Sequence, residues 1–317
     1  MTRVAAVDCG TNSIRLLISE IQEDGKIRDI SRTMEIVRLG QGVDATGEFD
    51  PAALARTRAA LEGYVKQMKF EKVERVRMVA TSATRDAKNH REFFDMTAEL
   101  LGQVQPGARA EVISGEEEAL LSFTGAVADL SSEKGPYCVI DLGGGSTEFV
   151  VGTIEGEILG SHSAQMGCVR LTERMMRSDP PTEAEVEIAT DYVAERMADV
   201  EKIVPIDKAV TFVGCAGTFT TLSALAQGME RYDADSIHGS ELRFDALRVL
   251  TRQMIGLASD VRALNPVIHP GRADVIGGGC VAVEGIMTMI ERNSSARSFF
   301  ISEKDILDGI IAGLATA

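Results

Sequence analysis

Val4–Val7 form a short apolar run ending at Asp8, and after the turn residues Cys9–Ser13 a second apolar run, Ile14–Ile18, continues toward Ile21. Two such runs joined by a polar tip predict a β-hairpin. The pattern returns at Tyr137–Ile154, where YCVID passes through LGGGST into EFVVGTI. Setting Asp8 on Asp141 also sets Gly10 on Gly143 and Ser13 on Ser146. These coincident turn positions favour two structurally similar halves over two unrelated hairpins.

Strand-like runs alternate with helical spacing along the rest of the chain. Asp50 and Pro51 make a helix start, and Leu54, Leu61, Val65 and Met68 then share one face. Arg75–Ala80 reads as a buried strand running into TSATRD. Ile113 closes another short strand, and Ser114 caps a helix bearing Ala119, Leu120, Phe123 and Val127. In the second half, Thr182 and Glu185 form a capping box ahead of Val186, Ala189, Val193, Met197 and Val200, which keep helical spacing. Ala209–Val213 reads as a strand entering GCAGT and a helix, and ADVIGGGCVAVEGIMTMI closes the half in the same manner. The alternation predicts an α/β protein. A length of 317 residues exceeds what one core usually holds. Two domains are therefore expected, with the chain crossing between them near Val127–Gly135 and a cleft between them as the default place for a site.

Composition removes several function classes. Apolar residues at 44% and charged residues at 26% are ordinary for a globular protein. Asp8 interrupts what would be the apolar region of a signal peptide, and no apolar run approaches spanning length, so a cytoplasmic protein without a membrane partner is expected. The cysteines, Cys9, Cys138, Cys168, Cys215 and Cys280, are scattered singly, and the histidines show no metal-ligand spacing. A net charge of −15 argues against nucleic acid, and an aromatic content of 5% with no tryptophan supplies few stacking platforms. A polyanionic substrate must instead meet a focused cluster of donors.

DLGGGSTE, residues 141–148, is the most informative stretch. Gly143, Gly144 and Gly145 after a strand let the backbone point N–H groups at an anion, and Ser146 and Thr147 add hydroxyls. Asp141 at the strand end suits Mg²⁺, held with water and phosphate oxygens. A capped glycine turn is the plainer alternative, and the matching DCGTNS loop across the chain weighs against it. Arg85 follows the strand ending at Ala80 and Arg15 follows the first loop; a guanidinium there can grip phosphate oxygens. Arg15 reads equally as an outward-facing strand residue. Glu116, Glu117 and Glu118 occupy a first helical turn, where the dipole favours carboxylates regardless of function. Glu117 is placed as capping-box partner of Ser114, leaving Glu118, about 100° further round, as a candidate base for a water. GCAGT, with Gly217, can bind phosphate at a helix start or simply pack a tight turn.

VDCGTNSIRLLI, TSATRDAKN, ISGEEEA, VIDLGGGSTE, MGCVRLTER and GCAGT, in that order, resemble the exopolyphosphatase and guanosine pentaphosphate phosphohydrolase family over essentially the whole chain. The resemblance implies two ribonuclease-H-like domains of the actin, Hsp70 and sugar kinase type flanking a cleft. The limits expected are 1–128, completed by a C-terminal helix within 303–317 that begins near Ser302, and 129–302. It implies that Glu118 is the catalytic base and that Asp141, Arg85 and Arg15 belong to the site. The full expectation adds Asn12, Ser13, Gly143–Thr147 and Gly217 as phosphate-binding residues. Asp8 and Glu148 join Asp141 as ligands of Mg²⁺, with Mn²⁺ as the alternative ion. A homodimer is also implied.

The chain departs from the family pattern where Leu120 stands in place of a frequent arginine, and where Leu307-Asp308-Gly309 replaces R-E-G. It also stops at Ala317, before the helical domain of longer members. The function expected is Mg²⁺-dependent hydrolysis of the terminal phosphoanhydride of inorganic polyphosphate, with short chains preferred. A guanosine pentaphosphate 5′-phosphohydrolase is the alternative within the class. A kinase of the same superfamily would need an acceptor site and an adenosine pocket, and Leu120 and Asp308 leave room for a sensor that binds without turnover.

Overall fold

A computed structural model describes residues 1–316. Two compact units make up the chain: Met1–Gly125 with the segment from Ile306 onward, and Ala126–Asp305. Among the described residues, no helix is long and apolar enough to cross a membrane.

The first unit is built on β1 (Thr2–Cys9), β2 (Ser13–Ile21), β3 (Ile27–Ile36), β4 (Arg75–Ala80) and β5 (Ala110–Val112). Their order is β3-β2-β1-β4-β5, the first three antiparallel and β4 and β5 added in parallel. β1 is central because its apolar residues serve both faces of the sheet, as period-two alternation requires. Ala5, Val7 and Cys9 join one core with Leu54, Leu61, Val65 and Met68 of the helix Pro51–Phe70. Val4 and Ala6 face the opposite way, into a core closed by Ile306, Leu307, Ile310 and Ile311 of the helix Ile306–Thr316. That helix starts at Ile306 rather than near Ser302, and it sits so close that a side chain at Gly309 would collide with the Leu121 carbonyl. Asp50 caps Pro51–Phe70 by accepting the Ala52 amide at 2.7 Å, as its sequence signature predicts.

The second unit repeats the plan with β6 (Tyr137–Leu142), β7 (Thr147–Gly152), β8 (Ile158–Ala164), β9 (Thr211–Cys215), β10 (Glu241–Arg243) and β11 (Ser298–Ile301). The order is β10-β11-β9-β6-β7-β8. Read from β8, this is the same three-stranded meander followed by two parallel strands, with β10 added antiparallel at the far edge. The repeated order is the ribonuclease-H-like architecture of the actin-like fold. β9 begins at Thr211, not Ala209, because Ile206–Lys208 form a turn of 3₁₀ helix before the strand. The helix Glu183–Ile203 carries the expected reciprocal capping box between Thr182 and Glu185.

Candidate active site

In the first unit, pairing of β1 with β2 sets Asp8 directly opposite Arg15. Opposed residues of an antiparallel pair share a face. Arg15 accordingly donates from Nε and Nη2 to Asp8 Oδ2, at 3.0 and 2.7 Å. This decides against an outward-facing Arg15. Asp8, expected as a metal ligand, has its carboxylate engaged by this cation.

The turn between these strands is closed by a bond from the Gly10 amide to the Ser13 carbonyl, 2.9 Å. The Thr11 carbonyl accepts the Gly40 amide, and the Asn12 carbonyl accepts the amides of Val37 and Arg38. In a trans peptide the N–H points opposite to the C=O. With the carbonyls of Thr11 and Asn12 turned toward the chain at 37–40, the next amides, those of Asn12 and Ser13, face the other way. Arg38 holds a positive φ of 52°, which brings its amide to Asn12.

TSATRD forms a short helix, Ser82–Asp86, from which Arg85 Nη1 donates to Glu118 Oε2 at 2.8 Å and to the Ile113 carbonyl at 3.0 Å. Arg85 Nη2 is buried and makes no hydrogen bond among the described residues. The three successive glutamates of the helix Gly115–Ala126 thus have different environments. Glu116 is exposed, Glu117 is half-buried and Glu118 is buried. The Glu117 amide does donate to Ser114 Oγ, at 3.1 Å. Its carboxylate, however, accepts from Arg77 Nη2 at 2.6 Å instead of reaching back, so the expected capping box is only half made. Arg77 on β4 is the competing cation, and it also bonds Glu111.

In the second unit the glycine turn reproduces the first closely. The Gly143 amide donates to the Ser146 carbonyl at 3.1 Å. The carbonyls of Gly143 and Gly144 accept the amides of Cys168, Val169 and Arg170 at the start of the helix Cys168–Met175, and Gly145 accepts from Arg170 Nε at 2.7 Å. By the same trans-peptide geometry the amides of Gly144, Gly145 and Ser146 all point away from that helix, three successive donors of the kind that suit an anion. Gly167 is needed beneath them, since a Cβ there would strike the Gly144 peptide. Thr147 does not join this cradle. Its hydroxyl is fully buried and donates its one proton to the Met166 carbonyl at 2.5 Å, which corrects its expected role.

Asp141 lies opposite Glu148 in the β6–β7 pair, and Glu148 lies opposite Ser163 in the β7–β8 pair. Both carboxylates are buried, and Ser163 Oγ donates to Glu148 Oε1 at 2.7 Å. Among the described residues, no group of three or more His, Cys, Asp or Glu has a metal-holding arrangement. Beside Asp141, β9 ends at Cys215 and the chain turns through Ala216, at a φ of 68°, into the helix Ala216–Ala226. Gly217 sits in its first turn, where a Cβ would overlap the Arg272 guanidinium. Gly217, expected to bind phosphate, therefore has that cation packed against it.

Arg170 and Arg272 are thus the residues that sequence reasoning missed. Their signal was position only: one follows MGCV in a quoted motif, the other precedes the glycine run of the last long helix of this unit. The thiols are excluded as nucleophiles, since all five are buried. Burial pushes Cys168 up to about 11, although Arg272 pulls the other way.

A model of the Ppx/GppA phosphatase family matches residues 17–313. Exopolyphosphatase 2 of Mycobacterium tuberculosis is 53% identical over 318 residues, covering 99% of each protein. A crystal structure of an exopolyphosphatase-like protein superposes with a TM-score of 0.92 at 36% identity, covering 99% of each chain. An exopolyphosphatase from Cytophaga hutchinsonii gives 0.88 at 25% identity, covering 99% of this chain and 98% of that one.

Proposed function

Because the chain belongs to the Ppx/GppA phosphatase family and is a phosphoanhydride hydrolase, we propose that it is an exopolyphosphatase, removing orthophosphate from the end of inorganic polyphosphate. The observation that carries this reading is the Arg85–Glu118 pair, in which a buried carboxylate is held by a guanidinium whose second amino group has no partner among the described residues. A buried cationic donor left unpaired is costly. A phosphoryl oxygen satisfies it and brings the reacting phosphorus beside the base.

In this mechanism Glu118 accepts a proton from the attacking water as the new P–O bond forms and the bridging P–O bond breaks. The shortened polyphosphate leaves, and orthophosphate is the product. Arg85 both orients Glu118 and binds the transferring group. Within the first unit Arg15 and the amides of Asn12 and Ser13 are phosphate-binding donors; within the second, the amides of Gly144, Gly145 and Ser146 are, with Ser146 Oγ as a further donor. Asp141 and Glu148, two buried carboxylates paired across β6 and β7, suit a hard divalent cation, and Mg²⁺ needs only one or two carboxylates with water and phosphate. Mn²⁺ suits the same donors. When bound, the ion supplies neutralisation of phosphate charge.

Inorganic polyphosphate is preferred over a nucleotide as substrate, and the family resemblance adds a cytoplasmic homodimer to the reading. Short chains should be the better substrates. At a net charge of −15, each further phosphate needs its own donor. At the two departures from the family pattern, Leu120 is exposed and Asp308 is spent on Arg32, at 2.6 Å. The expected result is a kcat/KM per chain end that stops rising after a few phosphates; a steady rise up to hundreds of units contradicts it.

The deciding experiment measures orthophosphate release from polyphosphate, guanosine pentaphosphate and ATP in parallel, with and without Mg²⁺. Fastest Mg²⁺-dependent release from polyphosphate supports the proposal. Preference for the pentaphosphate reassigns the substrate, and binding without release makes the protein a sensor.

A further inference from the structure

Across the second sheet, Cys215, Asp141, Glu148 and Ser163 form one row, each paired with the next on β9, β6, β7 and β8. The equivalent row of the first sheet is Val79, Asp8, Arg15 and Met34, on β4, β1, β2 and β3. The rows differ in charge at Arg15 against Glu148 and in polarity at their outer members. Arg15 has the apolar Met34 beside it, whereas Glu148 has a hydroxyl that donates to it at 2.7 Å. Carboxylate torsions are broad and soft, so one directed hydrogen bond to Oε1 can select the orientation of the whole group.

We propose that Ser163 is a positioning residue that fixes the Glu148 carboxylate for a divalent cation held with Asp141. The proposal rests on the assignment of Asp141 and Glu148 as cation ligands. Ser163 does not touch the cation; it acts through Glu148. Groups that hydrogen-bond a ligand from outside typically govern metal affinity by 10-fold to 100-fold, in order-of-magnitude terms. The competing explanation is that Ser163 merely satisfies a buried acceptor. That role shows in stability and leaves cation affinity unchanged.

The test is titration of the full-length protein with Mn²⁺ followed by electron paramagnetic resonance, comparing wild type with Ser163→Ala, Ser163→Thr and Asp141→Asn. Thermal melting confirms that each variant is folded. Ser163→Ala is expected to weaken Mn²⁺ binding about 10-fold or more, Ser163→Thr to restore it by keeping the hydroxyl in a strand-compatible side chain, and Asp141→Asn to weaken it at least as much as Ser163→Ala. Wild-type affinity in Ser163→Ala with weakened binding in Asp141→Asn overturns the role of Ser163 and leaves the cation site standing. Unchanged binding in Asp141→Asn overturns the cation site and the proposal together.

Discussion

The two glycine-turn hairpins share strand order, turn hydrogen bond and an aspartate at the same place, yet opposite Asp8 stands Arg15 and opposite Asp141 stands Glu148. That difference of charge type separates the two proposed roles. The first hairpin is electrically matched: Arg15 is held by Asp8, and its proposed role is to bind phosphate oxygens. The second sets two buried carboxylates side by side, the pair proposed above to hold a cation. The two hairpins share a backbone plan and differ in the side chain on the second strand.

Substitutions that remove one half's chemistry and spare the other sharpen this contrast. The largest effect is expected at Glu118, in the same unit as the matched hairpin. Glu118→Gln should lower kcat by about 10² to 10⁴, the usual worth of a general base, with the fold and the Mg²⁺ midpoint retained. Steady-state rates across a Mg²⁺ series check both points, and near-wild-type turnover rules Glu118 out as the base. Arg15→Met is expected to raise KM for polyphosphate about 10-fold, the order of one charge-assisted contact, again without moving the Mg²⁺ midpoint. A shift of that midpoint with unchanged KM would put Arg15 on the wrong side of the division. Glu117→Gln should leave kcat/KM unaltered. It loses only the half-exposed Arg77 pair, costing on the order of 0.2–1 kcal/mol in a melting experiment.

The architecture was legible because each unit repeats a strong local signal, an apolar strand, an aspartate and a glycine turn, and because β1 and β6 are buried on both faces. The Thr182–Glu185 capping box and the Asp50 cap were equally plain, being local bonds between near neighbours in sequence. What escaped was side-chain competition between residues far apart in the chain. Nothing near Glu117 announces that Arg77 claims its carboxylate, nor does the sequence around Thr147 announce that Met166 takes its proton. The approach of Arg272 to Gly217 was hidden for the same reason, since it comes from a segment more than fifty residues later. Asp8 and Asp141 read alike in the sequence, and only the strand register, which sets Arg15 across from one and Glu148 across from the other, separates their surroundings.

The division between the hairpins is tested most directly by titrating Mg²⁺ against orthophosphate release from polyphosphate in Asp8→Asn and Asp141→Asn side by side. Asp141→Asn should move the Mg²⁺ midpoint upward by about 10-fold or more and depress the maximum rate, since it removes a carboxylate from the cation. Asp8→Asn should leave the midpoint where it is and act through KM, by loosening Arg15. Equal displacement of the midpoint in both variants, or displacement by Asp8→Asn alone, contradicts the account.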